Sequence, residues 1–145
     1  MNEFSRTIQI RWSDPDPNFH IRHSVFYDWG AYARIEFFNE FGLTSQVMQE
    51  LQIGPILFRE ECVFKKEIRP GYEIKMDVRL LRSRKDFSRW SFQHHFTKGD
   101  GTLCAVLTVD GAWLDVVKRK LASPPEKVNE IFNKMQKGEG FQWVD

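Results

Sequence analysis

Apolar and polar positions along the chain follow two different periods, and the switches between them lay out the elements. From Thr7 to Trp12 the period is two. Ile8, Ile10 and Trp12 share one face and Thr7, Gln9 and Arg11 the other, the pattern of a half-buried strand. Two prolines between Ser13 and Asn18 turn the next stretch into a loop. From Ser24 to Phe41 the period becomes helical, with Phe26, Trp29, Gly30, Ala33, Phe37 and Phe41 at spacings of three and four. Ser24 suits an N-cap and Gly42 a C-terminal stop. Gly30, Ala31 and Ala33 are small enough for close approach to a sheet, and the breadth of the aromatic stripe predicts a central helix.

A short helix is expected between Thr44 and Gln52, and strands from Pro55 onward. Ile56, Phe58, Cys62 and Phe64 alternate with Leu57, Arg59, Glu61 and Lys65. After the turn Arg69-Pro70-Gly71, Tyr72, Ile74, Met76, Val78 and Leu80 alternate with Glu73, Lys75, Asp77 and Arg79. A basic turn from Arg82 to Asp86 leads into Trp90, Phe92, His94 and Phe96. Leu103 to Val117 is apolar on both faces near its middle, which places it inside the sheet. Ser123-Pro124-Pro125-Glu126 reads as a helix start with Ser123 as cap, followed by an apolar face of Val128, Ile131, Phe132 and Met135. The prediction is a single α+β domain over residues 1–137, one long helix covering one antiparallel sheet, with a loose tail at 138–145.

Composition narrows the function classes. Of 145 residues, 41% are hydrophobic and 28% charged, which is globular rather than disordered. A net charge of +1 supplies no bulk attraction to nucleic acid or an anionic membrane, so neither is expected as a partner. Thirteen Phe, five Trp and three Tyr give ample aromatic surface to bury or to offer a partner subunit. Cys62 and Cys104 show no metal spacing and are expected as buried thiols. No basic stretch followed by an apolar run marks a signal peptide, and no run approaches the ~20 apolar residues of a membrane span, so the expected location is cytoplasmic.

The chemistry concentrates between the first strand and the long helix, where Asp14, Asp16, Asn18, His20 and His23 crowd around two prolines. One explanation is a turn, since Asp side chains bond nearby backbone amides. The other is a site. A helix N-terminus offers unpaired N–H groups and a positive dipole end, and a carboxylate, an amide and an imidazole beside it make a kit for acyl transfer. Ser24 beside His23 is not a nucleophile elbow, because G-x-S-x-G is missing. Asp14, Asp16, His20 and His23 form only a weak metal set, and no metal is expected. His94 and His95 fall on opposite faces of one strand, as filler or interface residues. Arg82, Arg84, Lys85 and Arg89 gather at one turn, as a solvated turn or as a seat for phosphate groups.

The pattern Asp14-x-Asp16-x-Asn18-x-His20-Ile21, followed by a helix carrying Trp29 and Ala33-Arg34, resembles the 4-hydroxybenzoyl-CoA thioesterase-like branch of the hotdog-fold superfamily. It is also similar to the Asp-x-Asn-x-His spacing of plant acyl-carrier-protein thioesterases. The resemblance implies a sheet wrapped around the long helix over nearly the whole chain. It implies an acyl-CoA thioesterase in which Asp16 is nucleophile or general base on water. Asn18 and His20 would orient or activate the attacking group, and the backbone amides near His23 and Ser24 would polarise the thioester carbonyl. Arg82, Arg84, Lys85 and Arg89 would receive the coenzyme A phosphates. Coenzyme A enters as part of the substrate, and no other cofactor is required. Self-association to a dimer or tetramer is implied as well. Three positions depart from the family pattern: Phe19 stands where glycine is common, Arg22-His23 replaces an asparagine pair, and Ala31 replaces a helix glutamate. Glu36 is expected to pair locally or to edge the site. Two alternatives remain, a dehydratase or hydratase of the same fold and a binding module that holds an acyl thioester without turnover.

Overall fold

A computed structural model of the chain describes residues 3–145. Strand β1 (Ser5–Ile8) leads through a loop to helix α1 (Val25–Glu40), a short helix α2 (Ser45–Leu51) and the long strand β2 (Ile53–Phe64). Then come β3 (Ile74–Asp77), β4 (Arg79–Arg84), β5 (Arg89–Lys98), β6 (Leu103–Asp115), the two-residue β7 (Lys120–Leu121), helix α3 (Glu126–Lys134) and β8 (Lys137–Val144). β6 lies between β2 and β5, and β5 pairs β3 with its C-terminal half and β4 with its N-terminal half. The layout is the hotdog arrangement anticipated above, an antiparallel-dominated sheet wrapped on a long helix.

The two sides of the sheet differ because the strands alternate. Phe92, His94, Phe96, Leu107, Val109 and Trp113 are buried against the helices. The buried stripe of α1 is Val25, Phe26, Trp29, Gly30, Ala33, Arg34, Phe37 and Phe38. Phe38 meets Phe92 and Trp113, and Phe132 of α3 meets the same two rings, so both helices seat on one face. Gly30 and Gly111 are small by necessity. A Cβ on Gly111 would sit 2.5 Å from the Ile56 carbonyl oxygen and equally close to the Trp90 ring.

Four local expectations change. The first strand ends at Ile8, because the Asp14 amide turns back to the Arg11 carbonyl (3.0 Å) and lifts the chain off the sheet. Trp12, expected on the buried face, is fully exposed. The predicted strand through Val78 is broken into β3 and β4. There the Asp77 carbonyl takes the His94 Nδ1–H (2.8 Å) and its carboxylate takes the His95 amide (2.7 Å), in place of a regular ladder. Helix α3 is capped by Pro125 rather than Ser123, whose hydroxyl instead donates to Asp86. The expected loose tail at 138–145 is strand β8, parallel to β4 from Leu80↔Lys137 to Arg84↔Val144. Its polar composition hid it, since its anchors are single rings, Phe141 and Trp143, the latter against Phe87.

No helix among the described residues is long and apolar enough to cross a membrane. Both cysteines are free; burial pushes the Cys62 thiol up to about 11 and raises that of Cys104.

Candidate active site

The loop between β1 and α1 is knit by its own polar groups. Asp14 is fully buried, and its carboxylate accepts from the Arg11 amide (2.7 Å) and Nε (3.1 Å), with Arg11 Nη2 at 2.9 Å. Its carbonyl accepts the Arg22 amide (2.9 Å), tying both ends of the loop together. A buried carboxylate is stable only when paired and hydrogen-bonded, and Arg11 supplies both. Pro15 and Ile21 form a bridge, the Asp16 amide donates to the His20 carbonyl (2.7 Å), and the Ile21 amide anchors the loop to the Ile68 carbonyl (2.7 Å).

Asp16 sits at the tip of this small hairpin. Its Oδ1 accepts the amides of Asn18 (2.8 Å) and His20 (3.2 Å), while Oδ2 accepts no hydrogen bond within the described residues. One oxygen therefore fixes the side chain and the other is unpaired among the described residues. The turn forces Phe19 to φ +63°, the left-handed region where a side chain is disfavoured. Phe19 occupies the position where the resembling pattern carries glycine, and its ring is 74% exposed.

The neighbours of Asp16 divide. The His20 ring turns away and pairs through Nε2 with Glu67 (2.7 Å), which also holds Arg69. Arg69 first, and His20 among lesser causes, hold the Glu67 carboxyl below its ordinary range. His20 thus meets Asp16 through its backbone amide, with no imidazole–carboxylate pair. Asn18 and His23 are exposed, and their side chains make no hydrogen bond among the described residues. Ser24 occupies the N-cap position without a side-chain capping bond, and its Oγ accepts from Arg22 Nε (2.9 Å). The Val25 amide donates to Arg22, whereas the His23 and Ser24 amides find no acceptor within the described chain.

The four basic residues do not form one cluster. Arg82 lies beside Asp110 (3.6 Å), which also accepts from Ser91 (2.6 Å), and Arg89 stacks over Phe58. Arg84 and Lys85 line a different groove with Asp86, Trp143 and Asp145. The Arg84 Nε is buried without a partner among the described residues. Glu36 pairs locally, accepting from Tyr32 (3.2 Å) and facing Arg6 (3.7 Å).

Two cavities flank α1, and none of the five loop residues lines either. One, about 590 Å³, lies toward the first strand beside Trp12, Asp28, Trp29 and Tyr32. The other, about 270 Å³, lies toward β2 and is lined by Ala31, Arg34, Ile35, Phe38, Leu57 and Trp90, among others. It contains what the sequence did not disclose. Arg34, 8% exposed, donates from Nη1 to His94 Nε2 (2.9 Å), and His94 Nδ1 donates to the Asp77 carbonyl. That pair of bonds requires the neutral imidazole. Burial first, then the Arg34 charge, drive the His94 pKa down to about 3. Burial brings Arg34 down to about 10, still a full cation at neutral pH. The helical stripe of Gly30, Ala33 and Phe37 predicted a close-packed face but did not include Arg34, which the sequence marked only as part of the Ala33-Arg34 pattern. No group of three or more His, Cys, Asp or Glu side chains arranged to hold a metal occurs among the described residues.

Comparison with known proteins adds the following. The sequence signature of the Thioesterase-like superfamily matches residues 10–132. No curated protein matches the sequence. Among solved structures, a hypothetical protein from Staphylococcus aureus in complex with CoA superposes with a TM-score of 0.85 at 18% identity, over 99% of this chain and 90% of that one. A DHNA-CoA thioesterase from Staphylococcus aureus gives 0.80 at 16% identity, over 92% and 91%. A 1,4-dihydroxy-2-naphthoyl-CoA thioesterase from Synechocystis gives 0.81 at 13% identity, over 92% and 97%.

Proposed function

Because the chain belongs to the Thioesterase-like superfamily, we propose that it hydrolyses an acyl-CoA thioester to a free acid and coenzyme A, with Asp16 as the central residue. The observation that carries this is the state of Asp16. One oxygen is locked by two amides, the other is uncommitted, and the loop leads directly into a helix N-terminus with unused N–H groups.

A thioester needs a nucleophile and a place for the negative charge that develops on its carbonyl oxygen. In this reading the carbonyl oxygen accepts from the His23 or Ser24 amide, where the α1 dipole adds a partial positive charge. The free Oδ2 of Asp16 either attacks the carbonyl carbon, giving a mixed anhydride that water then opens, or takes a proton from the attacking water. The thiolate of coenzyme A leaves. One well-placed oxyanion donor is worth about 3 kcal/mol of barrier. His20 stabilises the loop by its amide and by its Glu67 pair rather than by moving a proton. Asn18, exposed at the turn, is available to the incoming water or to the substrate. Arg82 and Arg89 on one side, or Arg84 and Lys85 on the other, would meet the phosphates of coenzyme A. The 4-hydroxybenzoyl-CoA-like branch is the subgroup that the loop pattern favours.

The long edge of β2 is unpaired on its outer side, and Leu57, Phe58, Val63 and Phe64 along it are exposed, with Ile35 and Tyr32 on α1. Self-association along this strand would cover that surface and bring a second copy against the cavities beside α1. A second reading, an acyl-thioester binding module, is favoured by one observation: among the described residues no imidazole hydrogen-bonds the Asp16 carboxylate.

Thiol release from a panel of acyl-CoA thioesters tests the proposal, with wild type beside Asp16→Asn. Turnover that falls by two orders of magnitude or more in a variant of unchanged melting temperature supports it. Full activity in the variant refutes the role of Asp16. Binding of acyl-CoA with no release from any chain selects the binding module.

A further inference from the structure

The cavity between α1 and β2 is lined mainly by apolar side chains, with Arg34, Asn39 and Ser45 among its polar members. Arg34 is more than nine-tenths buried, and among the described residues its only hydrogen bond is the one to His94. Four of its five N–H groups are left over. Glu60, which shares the helix-facing side of β2 with Leu57, approaches Nη2 only to 3.7 Å and keeps about a third of its side chain in solvent. Trp90 lines the same cavity, and its indole N–H is buried with no partner among the described residues. The Trp90 N–H is closed off from the cavity, but a guanidinium on a buried stem, with donors open to the cavity and uncommitted among the described residues, asks for an acceptor from outside the chain.

We propose that this cavity is an acyl-group subsite selective for chains carrying an oxygen acceptor, a hydroxyl or a carboxylate, which Arg34 binds. The inference rests on the thioesterase reading and specifies its substrate class. His94 is the positioning residue. Held neutral between the Asp77 carbonyl and the guanidinium, it turns Arg34 into the cavity and leaves its remaining donors free. The room suits such a group: about 270 Å³ holds roughly nine water volumes. Helix rise places Arg34 about 15 Å along α1 from Ser24, so the acceptor lies a medium chain away from the scissile carbonyl. Glu60 decides between the two kinds of acceptor. With its carboxylate beside the guanidinium the local charge is balanced and a hydroxyl fits; with Glu60 swung into solvent the cation accepts a carboxylate bidentately.

The experiment uses the full chain and three CoA thioesters of equal length: octanoyl, ω-hydroxyoctanoyl and ω-carboxyheptanoyl. Hydrolysis is read as kcat/KM, and binding is read separately by calorimetry with the three matching non-hydrolysable CoA thioethers, since a free acid would bring a carboxylate of its own. Wild type should favour at least one oxygenated chain over octanoyl about tenfold or more in both readouts. Arg34→Met should erase that preference while still accepting octanoyl. Glu60→Gln, at a half-exposed position, should shift preference from hydroxyl toward carboxylate, and it decides the matter if Arg34→Met does not fold. Equal handling of all three chains by wild type overturns the proposal, as does a preference that survives Arg34→Met or a Glu60→Gln profile identical to wild type. Binding selectivity that depends on Arg34, with no hydrolysis of any thioester, supports the subsite and refutes only the hydrolase reading.

Discussion

His94 makes the stability of this protein depend on pH in a window where few other groups act. In the folded chain its pKa is about 3, chiefly through burial and then through Arg34; unfolded, it titrates near 6.5. A histidine depressed on folding stabilises the native state fully above its unfolded pKa. As pH falls from 6.5 toward 3, the unfolded chain takes up a proton that the native chain refuses, and stability is lost. One proton corresponds to about 1.4 kcal/mol per pH unit, so roughly 2 kcal/mol should disappear between pH 6.5 and 5. That is a large share of a total of about 5–15 kcal/mol. His95, lowered by burial, contributes in the same direction. The lowered carboxyls of Glu67, Asp86, Asp100 and Asp115 act only at more acid pH. His94→Asn keeps an acceptor for Arg34 and removes the proton site. Urea denaturation at half-unit steps from pH 7 to 4.5 should show wild type losing stability more steeply than the variant, by about 1 kcal/mol or more per pH unit. Parallel curves for the two proteins would mean that His94 titrates normally, and the neutral Arg34–His94–Asp77 chain would be wrong.

Other outcomes follow from the packing. Gly111→Ala should cost about 2 kcal/mol or more, read by melting, because its Cβ would press on the Ile56 carbonyl and the Trp90 ring; a neutral result would mean that the β2–β6 register is looser than described. Phe19→Gly should leave stability unchanged or raise it by about 1 kcal/mol, since strain at φ +63° is relieved and little burial is lost; a clear loss would show that the exposed ring has a partner. Asp14→Asn should destabilise by about 1–3 kcal/mol, by weakening the charge-assisted bonds from Arg11, whereas Asp16→Asn should change melting much less and activity much more. Ending the chain after Gln136 should lower the melting temperature by uncovering β4 and Phe87.

The long helix, the interior strand and the apolar face of α3 were legible because each repeats one period over many residues. Phe26, Trp29, Ala33 and Phe37 are buried as their spacing requires, and so are Val128, Ile131, Phe132 and Met135. Strand β8 was not legible, since a run such as Gly138-Glu139-Gly140 has no alternation and its pairing partner lies more than fifty positions earlier. Trp12 misled because periodicity cannot see the turn set by Asp14. In the loop, residue types marked out a polar cluster but could not say which oxygen of Asp16 is tied, nor that His20 faces Glu67. Arg34 and His94, sixty positions apart, acquire meaning only as a pair, and no local pattern announces a bond between a helix and the fourth strand beyond it.

The two margins of the sheet are unequal. On one side β3 and β4, broken at Val78, are bordered by two short segments, β1 and β8, running beside different halves. On the other, β2 presents twelve residues with a single irregularity near Leu57. A sheet with two long matching margins can add copies without end, each new chain offering the next a fresh seam. A copy joining along β2 would meet its equal, and what faced outward afterwards would be the interrupted margin of each. Joining by that route would be self-terminating, leaving a filament nothing to grow from.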